Sequence, residues 1–105
     1  MEHILLKDQI ALHFHDTRGM ALANTVTALQ LGYHTFDGSL GGLGGCPYAK
    51  GATGNLATDD LVHMIHEMGI DTGVDRDRLT DAGFFIQDKI GQTLPSKQMH
   101  VRAKE

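Results

Sequence analysis

Cysteine is almost missing from this chain: its 105 residues contain one, Cys46. A single thiol cannot close an internal disulfide, so the stapling that holds many small secreted domains is excluded, and a free thiol remains, buried or reactive. Long apolar runs are missing too. None approaches the roughly 18 to 20 residues of a membrane span, and the opening MEHILLKDQIALHFHD lacks the basic start and small-residue cleavage site of a secretory signal. Together these absences predict a cytoplasmic chain with no membrane partner. Nor is positive charge in excess: the formal net charge is −4, and Lys and Arg gather only weakly near the end. The electrostatic footprint of a nucleic-acid partner is therefore absent. No low-complexity segment and no linker interrupts the sequence.

What is present is ordinary globular composition, 41% apolar and 21% charged, which argues against disorder. At this length one small core is the most that can be built, and residues 1–105 read as a single domain with a short leader over 1–9. In residues 10–14, IALHF, Ile10, Leu12 and Phe14 alternate with Ala11, His13 and His15 as on a strand. Asp16-Thr17-Arg18-Gly19 is turn chemistry. From 20 to 31 the spacing becomes helical, with Leu22, Val26 and Leu29 as the apolar stripe and Gly32 in the helix-ending position.

The unit then repeats. Residues 33–40, YHTFDGSL, read as a second strand, and a glycine-rich loop leads to Thr58, expected to cap a helix whose first turn carries Asp59 and Asp60. Leu61, Ile65 and Met68 form its stripe, and Gly69 ends it. After Asp75, a further cap, Leu79, Ala82, Ile86 and Ile90 mark a third helix, weakened by Gly83, within a terminal helix region over 70–90; residues 91–105 read as a polar tail. Two strand-helix units in succession over 10–69 imply parallel strands, because each helix carries the chain back to its starting edge. A parallel sheet of two strands leaves both edges open, so the sequence reads as part of a larger α/β structure.

Candidate chemistry is concentrated at two places. His13 and His15, two residues apart on a strand, point the same way with Cα atoms about 6.6 to 7 Å apart, which lets both imidazoles converge on one metal ion or simply pack as a pair. Asp16 and Arg18 at the strand end could orient such ligands or hold an anionic substrate. His63 and His66 read as half-exposed packing on the second helix, and His3, His34 and His100 as peripheral. The second place is GGLGGCPYAKGATGN, residues 41–55, with six glycines among fifteen residues. Glycines permit close backbone approach to a ligand and opening of a loop, and a nearby helix N-terminus favours a thiolate. Cys46 is thus expected to be functional rather than a core cysteine. Asn55, at the foot of the loop, could offer an amide oxygen to a metal or cap the following helix.

Taken together, HFHDTRGMALANTVTALQLG and DGSLGGLGGCPYAKGATGNLATDDLVHMIHEMGIDTGVD resemble the C-terminal part of the 3-hydroxy-3-methylglutaryl-coenzyme A lyase family, over about residues 10–79 and more loosely to 90. The loop GGCPYAKGATGN is specific to that family, whereas the His-x-His strand is shared with metal-dependent Claisen synthases and aldolases. The resemblance implies a partial TIM barrel, the last two strand-helix units of a (β/α)8 barrel plus a C-terminal helix. It implies metal-dependent cleavage of 3-hydroxy-3-methylglutaryl-CoA to acetyl-CoA and acetoacetate, with a divalent ion, magnesium or manganese. By motif, His13, His15 and Asn55 would be metal ligands, and Cys46 a catalytic acid/base, with His13 also touching the substrate hydroxyl. Gly44, Gly45, Pro47 and Tyr48 would lie in the substrate loop, and Asp16 and Asp37 would be supporting or structural residues. The family's first strand, with its arginine and aspartate ligand, has no counterpart, and Met1 aligns near the end of the sixth helix. The expectation is an acyl-CoA lyase that is inactive as a monomer and works as a homo-oligomer or with a complementing chain. The alternatives are a non-catalytic self-associating or metal-binding module and a related Claisen synthase or aldolase.

Overall fold

The structure, a computed structural model, describes residues 6–44 and 54–105. Cys46, with Gly45, Pro47 and Tyr48, lies outside the described residues. A 3-10 turn at Lys7–Gln9 precedes strand β1 (Leu12–His13), helix α1 (Ala21–Gln30), strand β2 (Phe36–Asp37) and a 3-10 turn at Leu40–Gly42. Helices α2 (Thr58–Glu67), α3 (Arg76–Ile90) and α4 (Lys97–Arg102) follow. β1 and β2 pair in parallel, Leu12 against Phe36 and His13 against Asp37, the arrangement expected of two successive strand-helix units.

The strands are shorter than the sequence patterns over 10–14 and 33–40, because the chain leaves the ladder to make other bonds. Phe14 O accepts from Leu56 N, and Ser39 N donates to Leu56 O. Residues 54–57 thus thread between the ends of the two strands, bridging His15 to Asn55 and Ser39 to Ala57.

Helix ends follow local chemistry. The Asp16 carboxylate accepts from Ala21 N at 3.1 Å at the start of α1. At its end Gly32 N bonds Leu29 O and Tyr33 N bonds Ala28 O, with Gly32 at φ 94°. α2 closes identically, Gly69 N to His66 O and Ile70 N to Ile65 O. In both, a glycine takes the left-handed conformation that lets the next amide reach back to an otherwise unsatisfied carbonyl. Asp75 caps α3 as expected, accepting from Asp77 N and Arg78 N. α2 begins one residue off expectation, with Ala57 at the cap and Thr58 inside the helix.

The buried faces differ from the expected stripes. On α1 the buried line is Ala21, Thr25 and Ala28; Leu22, Val26 and Leu29 flank it half-buried. Two strands are too narrow to cover a full stripe, so the small residues centred over them are buried and the large ones fall at the margins. The core joins Ala21 to Leu56, Leu61 and Ile65, with Phe14, Leu22, Phe36 and Met64 against it; Met68 is exposed. On α3 the buried residues are Thr80 and Gly83 rather than Leu79, Ala82, Ile86 and Ile90.

Residues 91–105 are not a tail. Leu94, Ser96 and Met99 are buried, and α4 packs against both α2 and α3. Gly83, expected to weaken α3, is where Met99 docks: a Cβ there would lie 2.7 Å from Met99 Sδ. A six-residue helix shows too little periodicity to register in the sequence; Ser96, which accepts from Met99 N as its cap, was the available signal.

Candidate metal centre

Alternation along the first strand turns His13 and His15 outward, while Leu12 and Phe14 turn toward the core. The parallel register then sets Asp37 beside His13, and the Asp37 carboxylate accepts from His13 Nδ1. A carboxylate can only accept, so Nδ1 carries a proton and Nε2 is the nitrogen at the other edge of the ring. That nitrogen lies 3.2 Å from His15 Nε2, the rings meeting edge to face with centroids 5.0 Å apart. The Asp37 hydrogen bond lifts the His13 pKa above the ordinary imidazole value; desolvation opposes it, and the Asp37 charge and the Asn55 side chain add to it.

Asn55 reaches the same corner because the segment 54–57 bridges it to His15. Its amide nitrogen donates to Ser39 Oγ at 3.1 Å and to Leu43 O at 3.2 Å. Asp16 N bonds Gly54 O at 2.8 Å, beside Asn55, while its carboxylate accepts from Ala21 N at the start of α1; Arg18 is exposed on the turn. Gly44, expected in the substrate loop, packs beside Asn55: a Cβ there would lie 2.9 Å from Asn55 Nδ2. Ser39 and Leu43 were not anticipated. Ser39 was findable, since Asp37 and Ser39 are two apart on a strand and so share the face that Asp37 presents.

Two imidazole nitrogens bound side by side to one ion at roughly 2.1 Å lie about 3 Å apart, so the observed separation fits joint coordination. Among the described residues no group of three or more His, Cys, Asp or Glu side chains could hold a metal; the donor set is two imidazoles and one amide. Side-chain exposures of 46% for His13 and 59% for Asp37 leave the corner open to solvent. No described helix is long and apolar enough to cross a membrane.

An open pair of imidazoles oriented by a carboxylate, at the carboxyl ends of parallel strands each followed by a helix, is the arrangement of the α/β barrel class. The sequence profile of the family described as HMGL-like matches residues 1–86, and the chain belongs to that family. The hydroxymethylglutaryl-CoA lyase of Bacillus subtilis is 58% identical over 94 residues, covering 90% of this chain and 31% of its own length. The crystal structure of the Bacillus subtilis HMG-CoA lyase superposes with a TM-score of 0.92 at 56% identity, over 94% of this chain and 33% of that one. A lyase from Acinetobacter baumannii, solved with coenzyme A and 3-methylmalate, gives 0.77 at 47% identity over 85% and 29%. The chain spans about a third of the length of the curated relatives it matches. The described residues accordingly form a small α/β unit with two parallel strands that matches part of the lyase barrel.

Proposed function

We propose that residues 1–105 form the metal-binding corner of a hydroxymethylglutaryl-CoA lyase, which cleaves 3-hydroxy-3-methylglutaryl-CoA to acetyl-CoA and acetoacetate once the barrel is complete. The observation that carries this reading is the convergence of His13 Nε2 and His15 Nε2 at 3.2 Å, with Asp37 holding the far side of His13. His13, His15 and Asn55 would hold a divalent ion. Imidazole nitrogens suit manganese better than magnesium, which prefers carboxylate oxygen and water. When bound, the ion supplies Lewis acidity that makes a tertiary hydroxyl easier to deprotonate.

The chain's own residues do the rest. Asp37 fixes the His13 tautomer and ring plane, so that its Nε2 edge faces the substrate hydroxyl. The hydroxyl proton passes to solvent water, which later returns a proton to the Cys46 thiolate, and the carbon–oxygen bond becomes the ketone of acetoacetate as the adjacent carbon–carbon bond breaks. The electrons of that bond pass into the thioester enolate, which takes a proton on carbon from the Cys46 thiol to give acetyl-CoA. The remaining acidic ligand and a positive group for the enolate come from other strands of the barrel, in a homo-oligomer or a complementing chain. Acyl-CoA is the substrate class, as coenzyme A in the Acinetobacter baumannii structure supports.

The test is acetoacetate release from 3-hydroxy-3-methylglutaryl-CoA with manganese, run on the purified chain and on the chain joined to the preceding barrel units of the Bacillus subtilis relative. The expected result is turnover only in the completed barrel, abolished by Cys46→Ser. A completed, folded barrel without turnover, or one indifferent to Cys46→Ser, would overturn the reading.

A further inference from the structure

The polar contacts of Asn55 are asymmetric. Its amide nitrogen carries two hydrogens, and two acceptors take them: Ser39 Oγ at 3.1 Å and Leu43 O at 3.2 Å. A backbone carbonyl can only accept, so Leu43 decides which end of the amide is nitrogen. With both hydrogens committed, the group left for the imidazoles is the oxygen. Rotating the amide by half a turn would set its oxygen against the Leu43 carbonyl and turn N–H toward the imidazole corner. The backbone holds the same residue independently: Asn55 N bonds Gly44 O at 3.1 Å. Gly44 leaves room for the arrangement, since any Cβ there would come within 2.9 Å of Asn55 Nδ2.

We infer that Ser39 is a positioning residue for the metal corner: its hydroxyl, with the Leu43 carbonyl, locks the Asn55 amide so that an oxygen rather than an N–H is presented beside His13 and His15. Ser39 reaches no donor atom of the centre itself and acts through Asn55, with Gly44 as the spacer that lets the amide lie flat against the loop root. Outer contacts of this kind change metal affinity by about 10- to 100-fold when removed.

The inference rests on the metal reading proposed above, and the experiment separates the two. Manganese is titrated into the 105-residue chain and followed by electron paramagnetic resonance, for the parent, Ser39→Ala, Ser39→Thr, Gly44→Ala and Asn55→Ala. In parallel, exchange of the Asn55 side-chain amide protons is read by NMR without metal. Ser39→Ala is expected to weaken manganese binding about tenfold, Ser39→Thr to restore it, and amide exchange to speed up in Ser39→Ala alone of that pair. Gly44→Ala is expected to reproduce the Ser39→Ala loss. Weaker binding in Asn55→Ala with parental binding in Ser39→Ala overturns the positioning role and leaves the metal reading standing. If Asn55→Ala binds like the parent, or the parent itself retains no manganese, the metal reading fails; the amide protons then decide, and exchange unchanged by Ser39→Ala overturns the lock itself.

Discussion

The histidine corner and the C-terminal clasp are both small networks of side chains that accept and donate across distant parts of the chain, yet they are finished differently. In the corner, His13 and Asp37 are 46% and 59% exposed, and the imidazole edges have capacity for a ligand. In the clasp, Asp59 and Ser96 are 3% and 0% exposed, and the side chains are spent on each other. The Asp59 carboxylate accepts from Gly41 N at 2.9 Å and from the Ser96 hydroxyl. Asp60 accepts from Lys97 N at 3.1 Å and Gln98 N at 2.9 Å at the start of α4. Ser96 N returns to Gly41 O at 3.1 Å. Burial of polar groups demands that each be satisfied within the protein, so the clasp holds structure; the exposed corner stays open to solvent. The clasp also grips Gly41 and so steadies the root of the glycine-rich loop, a few residues before the Leu43 carbonyl that orients Asn55.

The sharpest way to break this comparison is to exchange the expected losses. Replacing both His13 and His15 with alanine should abolish manganese retention while moving the melting temperature by no more than about 1 °C, because neither ring is part of the core. A large drop in melting temperature would show that the pair is structural, and retained binding would show that the ligands lie elsewhere.

Met99→Ala should do the reverse. Met99 is 1% exposed, seated on Gly83, and truncating a buried side chain of this size costs about 2 to 5 kcal/mol in transfer and cavity terms. Denaturant unfolding should register that loss with the spectrum of the histidine corner unchanged. A cost below about 1 kcal/mol would mean that α4 rests on the surface without holding it.

The smallest effect concerns pH. Burial raises the Asp60 pKa above the ordinary carboxylate value, against the pull of the Gln98 and Lys97 amides; Asp59 adds to the rise, and the Ser96 hydroxyl opposes it. A carboxylate whose folded pKa exceeds its unfolded one binds protons more readily when folded. Its contribution is present in full below the unfolded pKa and lost as pH rises through the folded one. Relative to Asp60→Asn, the parent should therefore gain stability as pH falls from about 7 to about 4. Parallel melting curves across that range, or a parent that loses ground on acidification, would remove the burial account of Asp60.

Legibility followed the range of the contacts. The glycines at 32 and 69 and the Asp75 cap were readable because each acts on bonds within a few residues, and the helix ends are built as those residues dictate. His13 and His15 were readable as a pair because strand alternation alone puts them on one face. The clasp was not, since Asp59 and Asp60 both lie more than thirty residues from Ser96 in sequence. Asp59 and Asp60 read simply as first-turn acids for a helix dipole, whereas their carboxylates are taken up by Gly41 and by the start of α4. Gly83 was misread for the same reason: in isolation a helical glycine is a defect, and here the missing side chain is the space that Met99 fills.

By itself the sequence determined the order of strand and helix, the places where α1 and α2 stop, and the residue types available for chemistry, all consequences of local backbone preference and periodicity. Tertiary structure alone decided which small residues became the buried line of α1, that residues 91–105 pack, and that Asp37, Ser39 and Leu43 turn two histidines and an asparagine into one corner. Burial and convergence depend on what stands across the gap, and that is set by the pairing of strands and the threading of 54–57 between them.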